Sequence, residues 1–347
     1  MSGNVQALSQ DRSDLASLAE RDVQRVFHSY DRNGDGYLTQ AEVDLPGASF
    51  TPLDTDQDKR LSLAEMTPRS LIDGYLPEMQ TFVQQAFQQI DVDHSGRLTP
   101  DELASQTVLG ALETDFHMSR QVRADGWDQG AFTRQLTKTL AAAPAMAQPR
   151  ATRTGKTPVL VVQGYMEPSY FFMYGVYRHL QEEGQAVYGI NLFPNVSHAE
   201  TQAQKLAAKI QEILKETGAT KINLVCHSFG GLVARHLIQN MGGARYVDRY
   251  VSIATPHFGT AWCYTPGLGG ACQDMRIGSP FLTELNKKTI WSPVRYSAMY
   301  TKTDEITIPA RNCELPGAKN YPPVPKTGHF LILWSPTTYQ YVDESLK

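Results

Sequence analysis

Between Ile222 and Asn240 the chain reads INLVCHSFGGLVARHLIQN: branched apolar residues, one serine, two glycines, then apolar residues at helical spacing. A strand that gives way to a helix within so few residues passes through a strained bend, and glycine beyond the bend lets the helix start lie close against its neighbours. Ser228 occupies the bend. Such a bend lifts the serine oxygen above a sheet and requires helices packed on that sheet. Cys226 stands at the first position of the motif, where Gly is usual, and a small residue is sterically tolerated there.

The rest of the second half fits this frame. From Thr157 onward short apolar runs alternate with helical ones, predicting strands at Pro158–Val162, Ala186–Ile190, Ile222–Val225, Tyr250–Ala254 and Tyr296–Tyr300, with one more near Asn320. Helices are expected at Ser169–Glu183, Ala199–Gly218, Gly230–Met241 and Pro280–Lys287. About 190 residues suffice for one parallel core. Residues 141–156 (AAAPAMAQPRATRTGK) carry no apolar periodicity and read as a linker between a unit at 1–140 and one at 157–347.

The first unit contains a repeat. FHSYDRNGDGYLTQAE from Phe27, FTPLDTDQDKRLSLAE from Phe50 and FQQIDVDHSGRLTPDE from Phe87 align without gaps. Each places oxygen-bearing side chains at alternate positions of a 12-residue loop and a Glu at its end, the EF-hand pattern, with which a chain can wrap a hard cation such as Ca²⁺. The first loop, 31–42, offers Asp31, Asn33, Asp35, the Tyr37 carbonyl, Thr39 through water, and Glu42. The second, 54–65, offers Asp54, Asp56, Asp58, the Arg60 carbonyl, Ser62 and Glu65. The third, 91–102, offers Asp91, Asp93, Ser95, the Arg97 carbonyl, Thr99 and Glu102. The sixth position needs a left-handed turn, supplied by Gly36 and Gly96 but not by Lys59, so the second site ranks weaker. Val23, Val26, Phe27 and Tyr30 recur at helical spacing before the first loop. Leu38 and Leu61 are placed to pair as a short strand joining two loops. The third loop has no obvious partner, since Asp125–Gly130 is at most a degenerate remnant of one. Pro46 and Pro52 leave room only for short flanking helices, which favours a compact calcium-stabilised module over a switch.

Charge separates the two units. Residues 1–150 carry 13 Lys and Arg against 22 Asp and Glu, leaving 19 against 14 for the remainder, which suggests that the two dock on each other. The mild basic surplus contains no Lys/Arg run and argues against nucleic-acid binding. No window reaches the roughly 18 apolar residues of a membrane-spanning helix. The four cysteines are too few for a disulfide scaffold and leave room for one bridge, Cys263 to Cys272. The opening residues lack the apolar core of a signal peptide, so the chain is either cytosolic or, if an export signal was removed, secreted or periplasmic, and the sequence leaves both open.

The stretches VLVVQGY, INLVCHSFGGLVAR, SIATPHFGT, YTKTDEIT and TGHF occur in an order that resembles bacterial lipases and related triacylglycerol lipases of the α/β-hydrolase superfamily. The resemblance covers residues 157–347 and implies an α/β-hydrolase fold beside a small all-α EF-hand domain. It departs from the family at Gln163, where His is usual, and at Cys226. In this fold the catalytic order is serine, acid, histidine. That order makes Ser228 the nucleophile, Asp304 the acid with Glu305 as runner-up, and His329 the base, whereas His198 and His227 come too early and His257 belongs to a structural segment. Backbone N–H groups of Phe229 and Tyr165 are the expected oxyanion donors. Met166, Tyr170, Phe171, Phe172, Met173, Tyr174 and Tyr177 are candidates for an acyl pocket or a core, and Trp262–Leu282 for a short lid or pocket wall.

The resulting expectation is a serine hydrolase of lipid or short to medium acyl esters, acting through an acyl-enzyme, with Ca²⁺ held by the EF-hand unit. An acyltransferase or polyester hydrolase with the same triad is the alternative enzyme, and a calcium-dependent interaction protein with an inactive hydrolase body the alternative of another class.

Overall fold

The computed structural model describes residues 27–28, 31–43, 54, 56–65, 76–106, 109–110, 112–113, 117–122, 125–142, 156–165, 167, 170–192, 195–264, 269–291 and 293–347. Val23, Val26, Tyr30, Pro46, Pro52, Met166 and nearly all of the linker at 141–156 lie outside the described residues.

In the first part, β1 (Tyr37–Thr39) and β2 (Arg60–Ser62) pair antiparallel with Leu38 opposite Leu61, as the repeat predicts. Both leucines are fully buried. The third loop lies between α1 (Leu76–Ile90) and α2 (Pro100–Ser105). Its Leu98 forms an antiparallel bridge with Trp127, the two backbones exchanging N–H···O bonds of 2.7 and 2.9 Å. Asp125–Gly130 is therefore the partner of the third loop, reduced to its pairing residues. α3 (Gln129–Ala142) follows directly, with Asp128 accepting from the Ala131 N–H at its start. It was not expected, because Phe132 and Leu136 give it only a narrow apolar stripe.

The second part is a six-stranded parallel sheet made of β3 (Val159–Val162), β4 (Val187–Ile190), β5 (Ile222–His227), β6 (Val247–Ile253), β7 (Arg295–Met299) and β8 (Lys319–Asn320). The spatial order is β4-β3-β5-β6-β7-β8, so successive connections diverge on either side of β3 and β5. A crevice opens at the carboxyl ends of the strands where connections diverge in this way, and ligands bind there. Side chains alternate across the sheet. Val159 and Val161 face one core while Leu160 and Val162 face the other. α5 (Ala199–Thr217) and α6 (Phe229–Asn240) pack on the second face. On the first lie α4 (Tyr174–Glu182) and the terminal α9 (Pro336–Leu346); α7 (Gly269–Met275) and α8 (Pro280–Leu285) lie between β6 and β7 in the chain. The segment expected as one helix from Ser169 opens instead with a 3₁₀ turn at Tyr170–Met173.

The two parts share a core. Phe82, Phe87, Phe132 and Leu136 from the helices around the third loop pack in the same cluster as Val159, Phe172, Phe330 and Trp334. The Phe82 and Phe172 rings meet edge to face at 6.4 Å, and Phe172 lies 5.6 Å from Phe330. The docking anticipated from charge is thus made by apolar surface.

Candidate active site

The bend after β5 is as strained as its sequence requires. Ser228 has φ 50° and ψ −128°, a backbone conformation L residues rarely hold. Gly230 and Gly231 let α6 begin against the end of β3 and against Thr255. A Cβ at Gly230 would stand 2.3 Å from the Gln163 carbonyl oxygen, and one at Gly231 2.1 Å from Thr255 Oγ1. Cys226 is fully buried one strand position before His227, where desolvation pushes its thiol well above the ordinary value and leaves it a packing residue.

Ser228 and His329 line one cavity, together with Tyr165, Glu167, Trp262, Met275 and Phe330. His329 Nδ1 lies 2.9 Å from both carboxylate oxygens of Asp304. Asp304 is itself fixed by the backbone N–H groups of Ile306 and Thr307, which donate to Oδ1 at 3.0 and 2.6 Å. Burial works against a charged imidazole at His329, but the charge and hydrogen bond of Asp304 outweigh it and hold the pKa above 6.5. Glu305, the runner-up acid, faces the other way and accepts from the His329 backbone N–H at 3.0 Å.

The turn after β3 carries Tyr165, and its unexpected Gln163 explains how it is held. The buried Gln163 amide accepts from the Leu192 N–H and donates to the Glu167 carbonyl, while Asn195 Nδ2 donates to the Gly164 carbonyl at 2.6 Å. Phe229, the other expected oxyanion donor, is the first residue of α6. The remaining histidines are committed elsewhere. His257 is buried between Arg235 and Ser252, and desolvation followed by the Arg235 charge keeps it neutral. His198 pairs with Asp274, and both ring nitrogens of His227 are taken, by Glu167 and by the His329 carbonyl oxygen. Phe172, Met173, Tyr174 and Tyr177 belong to the core rather than to the cavity. Of the expected wall, Trp262 and Met275 reach the cavity, and Cys263 and Cys272 between them form a disulfide with Cα atoms 5.0 Å apart.

Glu167 and Gln163 were not predicted as site residues. A carboxylate two residues past the expected oxyanion donor was the available signal.

Comparison with known proteins agrees with the fold. A family model described as palmitoyl protein thioesterase matches residues 158–305, from β3 through the acid-bearing loop. A triacylglycerol lipase of Burkholderia plantarii is 33% identical over 129 residues, 35% of this chain and 36% of that protein. This half of the chain has the α/β-hydrolase fold and is similar in sequence to triacylglycerol lipases. A second triacylglycerol lipase, from Pseudarthrobacter phenanthrenivorans, is 34% identical over 110 residues, 30% of this chain and 34% of its own length. The match thus spans about a third of these curated relatives. The chain superposes on Aspergillus fumigatus lipase B with a TM-score of 0.51 at 15% identity, covering 84% of this chain and 83% of that one.

An EF-hand family model matches residues 23–43 and 82–108, which contain the first and third loops but not the second. In the first loop Asp31 accepts from the Gly34, Asp35 and Gly36 N–H groups. In the third, carboxylate oxygens of Asp91, Asp93 and Glu102 lie within 4.8 Å of one another, as do those of Asp54, Asp56 and Asp58 in the second. Lys59 is forced to φ 66°, the strain its position predicts, and Asp54 Oδ1 is buried without a partner among the described residues. Burial raises the Glu102 pKa, but hydrogen bonds from Thr99 and Val92 prevail and lower it, keeping the carboxylate charged. Convergent charged oxygens of this kind, one of them orphaned, suit a hard cation.

Proposed function

We propose that the chain hydrolyses carboxylic esters of lipids or short to medium acyl groups through an acyl-enzyme on Ser228. The observation that carries this reading is the sharing of one cavity by Ser228, on its strained bend, and a His329 whose Nδ1 is held by both oxygens of Asp304. Ser228 Oγ attacks the acyl carbon and gives its proton to His329 Nε2. Asp304 fixes the tautomer that makes this transfer possible and stabilises the imidazolium. The oxygen that becomes negative is met by the N–H groups of Phe229 and Tyr165, each contributing about 3–4 kcal/mol in the transition state. His329 then protonates the departing alcohol, and water, deprotonated by the same imidazole, releases the acid. Ca²⁺ is held by the first and third loops, with Asp31, Asn33, Asp35 and Glu42 in one and Asp91, Asp93, Ser95 and Glu102 in the other. The second loop is the weaker site. The Cys263–Cys272 bridge favours a secreted or periplasmic setting.

Hydrolysis of p-nitrophenyl esters of graded chain length tests the assignment. Ser228→Ala should lower kcat at least 10³-fold with the fold intact. Full activity in that variant overturns the mechanism, and a folded but inactive wild type favours the interaction protein.

A further inference from the structure

Glu167 is buried to 2% exposure in the wall of the cavity that holds Ser228 and His329. It stands close to the nucleophile: a Cβ on Gly164 would lie 2.5 Å from Glu167 Oε1 and 2.9 Å from Ser228 Cβ. A bare carboxylate so near the site of a developing oxyanion would oppose the transition state. His227 removes that difficulty. Its Nδ1 contacts Glu167 Oε1, and its Nε2 lies 3.0 Å from the His329 carbonyl oxygen. A carbonyl only accepts, so Nε2 carries a hydrogen. Nδ1 and Oε1 then meet through a single shared proton, whether the pair is acid and imidazole or carboxylate and imidazolium, and in both forms the pair is neutral overall.

The same accounting fixes what is left of Glu167. Oε1 is committed to His227, and the shared proton lies on that side. Oε2 is therefore an acceptor in either form, and it is fully buried without a hydrogen-bond partner among the described residues. Leaving such an oxygen unmatched costs free energy unless something that enters the cavity donates to it. An ester carbonyl and an alkyl chain have no donor. A hydroxyl has one.

Resting on the hydrolase reading above, we propose that Glu167 is a specificity-determining residue whose Oε2 accepts a hydrogen bond from a hydroxyl group carried by the ester substrate. The substrate class is then the hydroxylated ester. The hydroxyl lies on the alcohol side, as in partial esters of glycols and glycerol, or on the acyl side, as in hydroxyacyl esters. Ser228 is used identically for both, so Glu167 acts on selection rather than on the bond-breaking step.

The experiment compares kcat/KM for two near-isosteric pairs, 2-hydroxyethyl butanoate with propyl butanoate and ethyl 3-hydroxybutanoate with ethyl 3-methylbutanoate. Alkaline hydrolysis of each ester corrects for intrinsic reactivity. Wild type should favour the hydroxylated member of one pair about ten-fold, the worth of one well-placed hydrogen bond, and the pair that responds identifies the side. Glu167→Leu should bring that ratio to near one. Glu167→Gln should keep it within about two-fold of wild type, because its amide nitrogen donates to His227 Nδ1 and its oxygen takes the place of Oε2. A structural role alone would lower both members of a pair together and leave the ratio unmoved. A corrected wild-type ratio near one in both pairs overturns the proposal, and needs no variant to be folded. A ratio unchanged in Glu167→Leu overturns it as well. Ser228→Ala, assayed alongside, separates the two levels. Activity surviving there removes the hydrolase reading itself, whereas a dead Ser228→Ala with unselective wild type removes only the role of Glu167.

Discussion

Replacing Phe82 with alanine tests whether the calcium-loop region and the hydrolase are one folding unit. Phe82 is fully buried on α1, its ring meets Phe172 edge to face, and Phe172 in turn contacts Phe330, the residue after His329. Truncating a buried phenylalanine costs about 3–5 kcal/mol through lost transfer energy and the cavity left behind. At roughly 2.1 cal/mol/K of unfolding entropy per residue, a chain of this size loses about 1.4 °C of melting temperature per kcal/mol, so Tm should fall by about 4–7 °C. Urea titration would be followed by far-ultraviolet circular dichroism, which is weighted toward the helices, and in parallel by residual ester hydrolysis, which reads the catalytic cavity. If the shared core makes the two parts one cooperative unit, both midpoints move together by the same free energy. Were the activity midpoint to stay in place while the helical signal moved, the parts would unfold separately and the contacts across Phe82 would be energetically idle.

Two further outcomes follow from the site and from the loops. Because His329 has its pKa raised above 6.5 and must be neutral to accept the serine proton, the rising limb of kcat/KM against pH should have its midpoint above 6.5. Asp304→Asn removes the strongest of the influences that raise it and leaves burial opposed only by the charges of Glu305 and Glu167, so the limb should move to lower pH while turnover falls roughly 10³–10⁴-fold; a limb that does not move would dissociate Asp304 from the base. The same raised pKa means that the His329–Asp304 pair stabilises the fold fully below pH 6.5 and loses that contribution as pH rises through the folded value. Calcium should act on the catalytic side mainly through the third loop, whose entry helix α1 donates from Gln89 to the Lys326 carbonyl. Calcium at about 100 times its dissociation constant should add about 2.7 kcal/mol to stability. Glu102→Gln should cost more of both that stabilisation and kcat than Glu42→Gln, and equal effects measured by calorimetry and ester assay would refute the coupling.

What could be read from the sequence is what is written locally. The strand β3, the Ser228 bend and the 12-residue loops are all set by residues within a few positions of one another, through runs of branched apolar residues, steric room at Gly230 and oxygen spacing. Chain order points to Asp304 as the acid, and the structure puts its carboxylate rather than that of Glu305 on the imidazole. The shared core was not legible, because Phe82 and Phe172 are apolar residues on separate stretches whose meeting no periodicity announces. Nor was the pairing of Leu98 with Trp127. The remnant had lost its ligands, and what survived was two backbone hydrogen bonds, which any sequence can make.

The loop bearing His329 explains why so much of the site lay beyond sequence reading. It follows an edge strand, β8, only two residues long, so the sheet ladder gives it little support. Side chains from distant segments hold it instead: Thr301 donates to the Thr327 carbonyl, Glu305 accepts from the His329 N–H, His227 binds the His329 carbonyl, and Gln89 reaches Lys326 from α1. Each contact alone is worth about 1 kcal/mol, but together they replace the ladder that would otherwise place the base. A catalytic imidazole must be held to within a fraction of an ångström. That requirement explains why polar residues from both parts of the chain converge on its backbone, and why the helix entering the third calcium loop packs on this turn rather than standing apart as a tethered module.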